Sequence, residues 1–360
     1  MQLEGLLDRL ANFPATTYPV ISLYLDGRPG QHGHEHYGVF VRKELAARVR
    51  AWHERSPERD SFHRDVDRIL AWLHNEARPS ANGLAIFACA GANDFFEALQ
   101  LDVPVERHEI FVEATPRLLP LARLADRYRR CAAVVVDSHA ARILVFGAGA
   151  LEAVGEIEGE KTRRSEAGGW SQARFQRHVD NFTLRHVKEV ADVLDDVTRM
   201  ERIDHVVLAG EDATVALMRE HLPKHLDAMV VEVARMEASA GDAEVRERTL
   251  EAMRAAAARE EAERVAQTLD AQRSGGLGAA GLEETFAALV NGQVHELLIS
   301  ADTAGIPDIG GRPSAEIADE LVTMARRTSA RVSFVEDQAL LAPAGGVAAR
   351  LRYRIGGKAA

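Results

Sequence analysis

The stretch CAAVVVDSHAARILVFGAGALEAVGEIEG, residues 131–159, decides the fold. Three short apolar or alternating runs are separated by Ser-His and by Gly-Ala-Gly, residues that mark tight turns, so the stretch predicts a β-meander. A loop over 160–172 follows, then a long helix over about 173–197, HVVLAG (205–210), a helix near 212–225 and AMVVEVAR (228–235). A meander continued by alternating helices and strands predicts an α/β domain.

Working outward, the first segment also reads as mixed α/β. YPVISLYLD (18–26) is an expected buried strand, helical patterns cover about 38–54 and 60–76, and GLAIFACA (83–90) is a second strand. A region punctuated by Pro104, Pro116 and Pro120 is expected to separate this unit from the meander. Beyond the meander unit, an Ala/Glu/Arg-rich helix spans about 242–272, interrupted by SGGLGAAG (274–281). A helix near 282–291, HELLIS (295–300), a helix at 314–328, RVSFVE (331–336) and ARLRYRI (349–355) complete a third, layered α/β unit. Three domains are expected, at 1–125, 126–238 and 239–360.

Composition sets the outer limits. The 360 residues carry a net charge of −11, with 46% hydrophobic and 28% charged residues, an ordinary balance for a soluble globular protein. That charge argues against non-specific coating of nucleic acid and leaves room for a local basic site. The two cysteines, Cys89 and Cys131, form no CxxC pair and suggest a reducing cytoplasm, with neither a disulfide framework nor a zinc site. Glu4 and Asp8 interrupt the first apolar stretch, so no signal peptide is expected, and no apolar run approaches the ~18 residues of a membrane span.

The densest chemical signal is GGWSQARFQRH, residues 168–178. Two successive glycines cost backbone entropy and suit a place where a side chain would block an approach. On the helix that follows, Arg174, Arg177, Asn181, Arg185 and Lys188 share one stripe, and Phe175, Val179, Phe182, Val190, Val193 and Val197 share roughly the opposite one. From Lys161 to Lys188 there are seven Lys/Arg against Glu166 and Asp180, a local +5. Such a stripe is either a solvated helix face or a phosphate-binding one. His186 falls on the apolar side, as a core histidine would, and His178 lies near the edge of the basic stripe.

GGWSQARF resembles the Gly-Gly-Gln segment of the archaeal and eukaryotic class 1 peptide-release factors, which runs Gly-Gly-Gln-Ser-Ala-x-Arg-Phe. Gly168, Gly169, Ser171, Arg174 and Phe175 match position for position, whereas Trp170 stands at the family's Gln and Gln172 comes two residues later. The chain thus looks like the bacterial branch of this superfamily, and is similar to the peptidyl-tRNA hydrolase of eukaryotic ribosome quality control, whose Gln is also displaced. GLGAAGLEETFAALVNGQVHELLIS (276–300) resembles the start of the release-factor C-terminal domain. The resemblance implies a ribonuclease-H-like middle domain and a release-factor-like C-terminal domain, and covers residues 126–357. The N-terminal unit has neither the Asn-Ile-Lys-Ser nor the Tyr-x-Cys-x-x-x-Phe motif, so stop-codon decoding is not implied.

The implied chemistry is hydrolysis of the peptidyl-tRNA ester, which needs a placed water and donors for the developing oxyanion. By resemblance, Gly168 and Gly169 supply access to the ribosomal peptidyl-transferase centre. Gln172 positions water, or Trp170 contributes its backbone N–H alone. Arg174 and Arg177 hold RNA phosphates, Arg185 and Lys188 extend the RNA-binding face, and Trp170 is placed to stack on a terminal base. No general base is required of the protein and no cofactor or metal is expected. The expected partners are the ribosome and peptidyl-tRNA, with a delivering translational GTPase left open; neither DNA nor a membrane is among them. The alternative is a non-catalytic, Pelota-like ribosome-binding factor. Two rival signals are weaker. GLGAAG matches G-x-G-x-x-G but follows a helix rather than a strand, so a domain-joining turn is expected. His32, His34, Glu35 and His36 alternate in QHGHEHYG (31–38) with nothing nearby to complete a metal's ligand set, so a surface loop is expected.

Overall fold

The computed structural model describes residues 3–28, 37–147, 150–158, 172–201, 203–237 and 240–354. The chain is a mixed α/β protein with three sheets, and it divides into two compact units. One unit comprises Met1–Arg127 with Glu261–Ala360, the other Tyr128–Glu260.

The discontinuous unit begins with α1 (Leu3–Ala11), β1 (Val20–Asp26), α2 (Tyr37–Arg48), α3 (Pro57–Asn75), β2 (Gly83–Cys89), β3 (Phe95–Leu101), β4 (Glu109–Glu113) and α4 (Leu119–Arg127). The four strands form an antiparallel sheet in the order β3-β2-β1-β4. Ile21, Leu23, Leu25, Leu84 and Ile86 point to one face, where α2 and α3 cover them with Val41, Leu45, Phe62 and Ile69. Both faces of β1 and β2 are buried, which is why those stretches read as unbroken apolar runs. α3 is fastened to the β2–β3 turn, because Ser61 Oγ accepts the Gly91 N–H at 2.7 Å and Asp65 Oδ1 accepts the Ala90 N–H at 2.8 Å. Asp65 is buried, and that burial pushes its carboxyl up to about 7.

The expected separator is not one. The Pro-marked region contains β4 and the start of α4, and β3 lies just before it. Pro120 sits in the first turn of α4, where a missing N–H costs nothing. β3 is a half-buried edge strand, FFEALQL, and lacks both a clean alternation and an apolar run.

The continuous unit holds β5 (Cys131–Val136), β6 (Ala140–Gly147), β7 (Ala150–Glu158), α5 (Gln172–Glu201), β8 (His205–Gly210), α6 (Asp212–His221), α7 (Lys224–Asp227), β9 (Val230–Arg235) and the first part of α8 (Asp242–Arg273). The sheet runs β7-β6-β5-β8-β9, antiparallel through β7-β6-β5 and parallel through β5-β8-β9. Ala132, Val134 and Val136 face a core built with Val187, Val190, Ala191 and Leu194 of α5. Cys131, Ala133 and Val135 face the opposite core with Met236, Ala240 and Val245. The meander is as the sequence predicts, whereas the single helix expected near 212–225 is two, α6 and α7, split at Pro223.

α8 crosses the unit boundary, after which come β10 (Gly278–Ala280), α9 (Leu282–Val290), β11 (Val294–Ser300), α10 (Ser314–Arg327), β12 (Arg331–Val335), α11 (Gln338–Leu341) and β13 (Val347–Leu351). These strands form a sheet in the order β10-β13-β11-β12. The turn expected at 276–281 is instead largely the edge strand β10, paired through Gly278↔Arg350. Gly278 is required there, because a Cβ would lie 2.4 Å from the Thr268 carbonyl oxygen at the end of α8. The last strand ends at Leu351 rather than 355.

Within the discontinuous unit, the C-terminal sheet and its helices are bound to the N-terminal segment by polar contacts, the central ones buried. Asp319 of α10 accepts the N–H groups of Leu118 and Leu119 at 2.7 Å each, capping α4, and lies 3.6 Å from the buried Arg117 guanidinium. Burial pushes the Asp319 carboxyl up to about 6 against the pull of Arg117 and the two N–H donors. Arg117 in turn offers its carbonyl to the buried Tyr24 hydroxyl. Arg326 pairs with Glu4 and Asp8 of α1, Arg327 donates to the Ala11 carbonyl, and Asp126 accepts the Phe334 N–H.

Candidate nucleic-acid interface

α5 is the element that carries the predicted site. Its 30 residues correspond to ~45 Å of helix. The buried face is centred on Val187, Val190, Ala191 and Leu194. This is a rotation from the expected stripe: Val193 is exposed, while Phe182 and Val197 are half-buried at its margins. The expectation placed too much weight on the β-branched and aromatic positions and passed over Ala191 and Leu194. His186 is buried at 2% exposure with neither ring nitrogen hydrogen-bonded among the described residues, the core position expected of it.

Arg185 and Lys188 are exposed, on the side of α5 away from that core. Gln172, Arg174 and Arg177 fall on the first two turns of the same helix by backbone position, with Gln172 its opening residue. Gly168, Gly169 and Trp170 lie outside the described residues, as do His32, His34, Glu35 and His36. Among the described residues no group of three or more His, Cys, Asp or Glu is placed to hold a metal ion, and no helix is long and apolar enough to cross a membrane.

The basic stripe has a sharp end. After Lys188 the polar positions of α5 become Glu189, Asp192, Asp195 and Asp196. Arg199 folds back on the last two, 3.0 Å from Asp195 and 2.7 Å from Asp196. The hydrogen bond from His225, 2.7 Å away, and the Arg199 charge hold the Asp195 carboxyl below its ordinary range. The cationic half is therefore Gln172–Lys188, ~25 Å of helix. It coincides with the N-terminal half of α5, whose first turn alone adds the helix dipole's attraction for anions.

Register fixes where β7 ends: Ala140 of β6 pairs with Glu158 of β7, so the last residue of β7 lies beside the β5–β6 turn. In that turn Asp137 Oδ1 accepts the N–H groups of His139 and Ala140, both at 2.7 Å. The His139 ring meets Phe182 of α5 with centroids 5.9 Å apart and planes at 40°. Ten residues of α5 precede that contact, ~15 Å of helix, and Gln172, Arg174 and Arg177 are among them. The sequence marks Ser-His as a break between strands, and Asp137 before it, an Asx-turn residue, is the signal for the turn's geometry.

This part of the chain has identifiable relatives. Residues 116–254 match the sequence model of bacterial archaeo-eukaryotic release factor family 10. The resemblance to the release-factor superfamily therefore holds for this segment, which contains the whole of α5 and residues 159–171 before it. The protein described as uncharacterized protein YocB, of Bacillus subtilis strain 168, is 25% identical over 144 residues, covering 38% of this chain. The match spans about half, 55%, of that curated relative. Among solved structures, the archaeal translation termination factor aRF1 aligns over 98% of this chain and 97% of its own, at 21% identity and a TM-score of 0.28. Archaeoglobus fulgidus Pelota aligns over 78% and 83%, at 18% identity and a TM-score of 0.36. S. cerevisiae Dom34, a translation termination-like factor, aligns over 76% and 80%, at 11% identity and a TM-score of 0.47. All three scores lie below 0.5.

Proposed function

We propose that the protein is a cytoplasmic, ribosome- and tRNA-binding factor that hydrolyses the ester bond of peptidyl-tRNA in the rescue of stalled translation. The observation that carries this reading is the family match over residues 116–254, because that segment holds Gly-Gly-Trp-Ser-Gln followed directly by the basic half of α5. The strand order β7-β6-β5-β8-β9, three antiparallel strands continued by two parallel ones, supports a ribonuclease-H-like middle module. That module corresponds to residues 126–238, between an N-terminal module (1–125) and a release-factor-like one (239–360). In the proposed reaction Gly168 and Gly169 give the backbone access to the ester, and Gln172 positions the attacking water. Trp170 and the cations Arg174, Arg177, Arg185 and Lys188 hold the RNA.

Trp170 at the family's Gln position favours a second reading, a Pelota-like factor that binds stalled ribosomes without hydrolysis. Release of labelled peptide from stalled ribosome complexes separates the two. Under the hydrolase reading the wild-type protein releases peptide, Gly169→Ala abolishes release, and Gln172→Ala slows it about 10- to 1000-fold, the range for loss of one positioning donor. Ribosome binding without release, unaltered by Gln172→Ala, leaves the non-catalytic factor.

A further inference from the structure

Beside the basic half of α5, the β5–β6 turn presents an imidazole that nothing in the proposed site uses. His139 is exposed, and its orientation is fixed from two sides. Its Nδ1 is hydrogen-bonded to Ser138 Oγ at 2.5 Å, and its ring rests against Phe182 at 5.9 Å. The turn beneath is locked by Asp137 Oδ1, which takes up two N–H groups. An exposed ring held this firmly loses little rotamer freedom when something stacks on it. The 5.9 Å separation and 40° tilt lie within the range of a stable aromatic pair, so Phe182 backs the imidazole.

The chemistry of the neighbourhood selects the ligand. Arg185 follows Phe182 by three positions, its neighbour on the helix one turn on, where the half-buried margin gives way to the exposed side. Lys188 lies three positions further on, and both cations are exposed. An exposed ring beside cations spaced along a helix is the arrangement by which proteins hold single-stranded RNA, one base on the ring and the adjoining phosphates on the cations.

We infer that His139, backed by Phe182, is a base-stacking contact for a single-stranded RNA nucleotide whose phosphates lie on Arg185 and Lys188. The inference rests on the proposed RNA-binding role of α5 and extends it from the helix to the β5–β6 turn. It sets the binding surface at the point where the helix meets the sheet, ~15 Å along α5 from Gln172.

The test uses the full-length protein and a fluorescein-labelled single-stranded RNA 12-mer ending in CCA, with affinity measured by anisotropy across a salt series. Stacking on one base accounts for roughly a five-fold or larger change in affinity. His139→Ala is therefore expected to weaken binding at least about five-fold without changing the slope of log affinity against log salt, since no phosphate contact is lost. Arg185→Gln is expected to flatten that slope by ~0.7, the single-strand value for one phosphate. His139→Phe, which keeps a ring, is expected to restore affinity. Wild-type binding that survives His139→Ala, or a Phe variant as weak as the Ala variant, overturns the stacking contact and leaves the α5 reading in place. Absence of RNA binding by the wild type overturns both. Thermal melts of the variants control for folding, and His139, being exposed, has no core contact to lose.

Discussion

Replacing Asp319 by Ala tests whether the two separated segments of the discontinuous unit fold as one body. The carboxylate oxygen accepts two backbone N–H groups at 2.7 Å and faces Arg117 at 3.6 Å, all away from solvent. Hydrogen bonds to a charged group contribute about 1.5–3 kcal/mol each, so two give about 3–6 kcal/mol. Desolvation offsets part of that, as the carboxyl's rise to about 6 indicates. A loss of about 3–4 kcal/mol is expected, in line with removing one partner of a buried pair. Asp319→Asn keeps an acceptor oxygen and forfeits the charge opposite Arg117, so about 1–2 kcal/mol is expected at pH 7.5. The assay is urea unfolding followed by tryptophan fluorescence in a Trp170→Phe background, where only Trp52 and Trp72 report. Both lie in the N-terminal segment, far in sequence from the substitution in α10. A shift of their transition to lower urea is the expected result. If instead the two tryptophans unfold at the wild-type midpoint while circular dichroism shows an earlier loss of structure, the C-terminal sheet is an independent domain and the argument fails.

Three further outcomes are expected. Asp65 has a folded-state pKa of about 7, above its unfolded value, so its contribution to stability is complete below ~4 and is lost as pH rises towards 7. Asp65→Asn, which retains an acceptor for the Ala90 N–H, should flatten the fall in melting temperature between pH 4 and pH 7; an unchanged pH profile would show that Asp65 is not the group responsible. Changing Arg185 and Lys188 together to Gln should reduce the salt slope of RNA binding by ~1.4, whereas Asp192→Asn should not reduce it; equal effects from both would mean a non-specific charge response. Gly278→Ala should destabilise the protein by about 1–3 kcal/mol through overpacking against the end of α8, as read by a chemical melt, and a neutral result would mean that β10 moves aside freely.

What was legible in the sequence followed from burial. β5, β1 and β2 are buried on both faces, so their apolar runs announced themselves, and the turn residues around the meander set its register. β3 and β4 were hidden because half-buried edge strands carry a mixed pattern, FFEALQL and EIFVE. α4 was hidden by Pro120, a residue that breaks helices in their interior and suits their first turn. In the candidate site, the cations of α5 were readable from helical spacing, and so was their end at Glu189 had the stripe been followed further. His139 was not, because its contact with Phe182 joins a turn and a helix more than 40 residues apart in the chain.

The split composition of the first unit has a consequence for how the protein is made. The cap that Asp319 supplies to α4 comes from a residue 200 positions downstream. At ~5–20 residues per second, translation takes roughly 10–40 s to deliver it. During that interval α1 and α4, which pack on α10 and β12 in the folded unit, have no partner from the missing segment. The middle unit, by contrast, is contiguous and has all its strands by residue 235. The nascent chain thus completes its middle before its beginning.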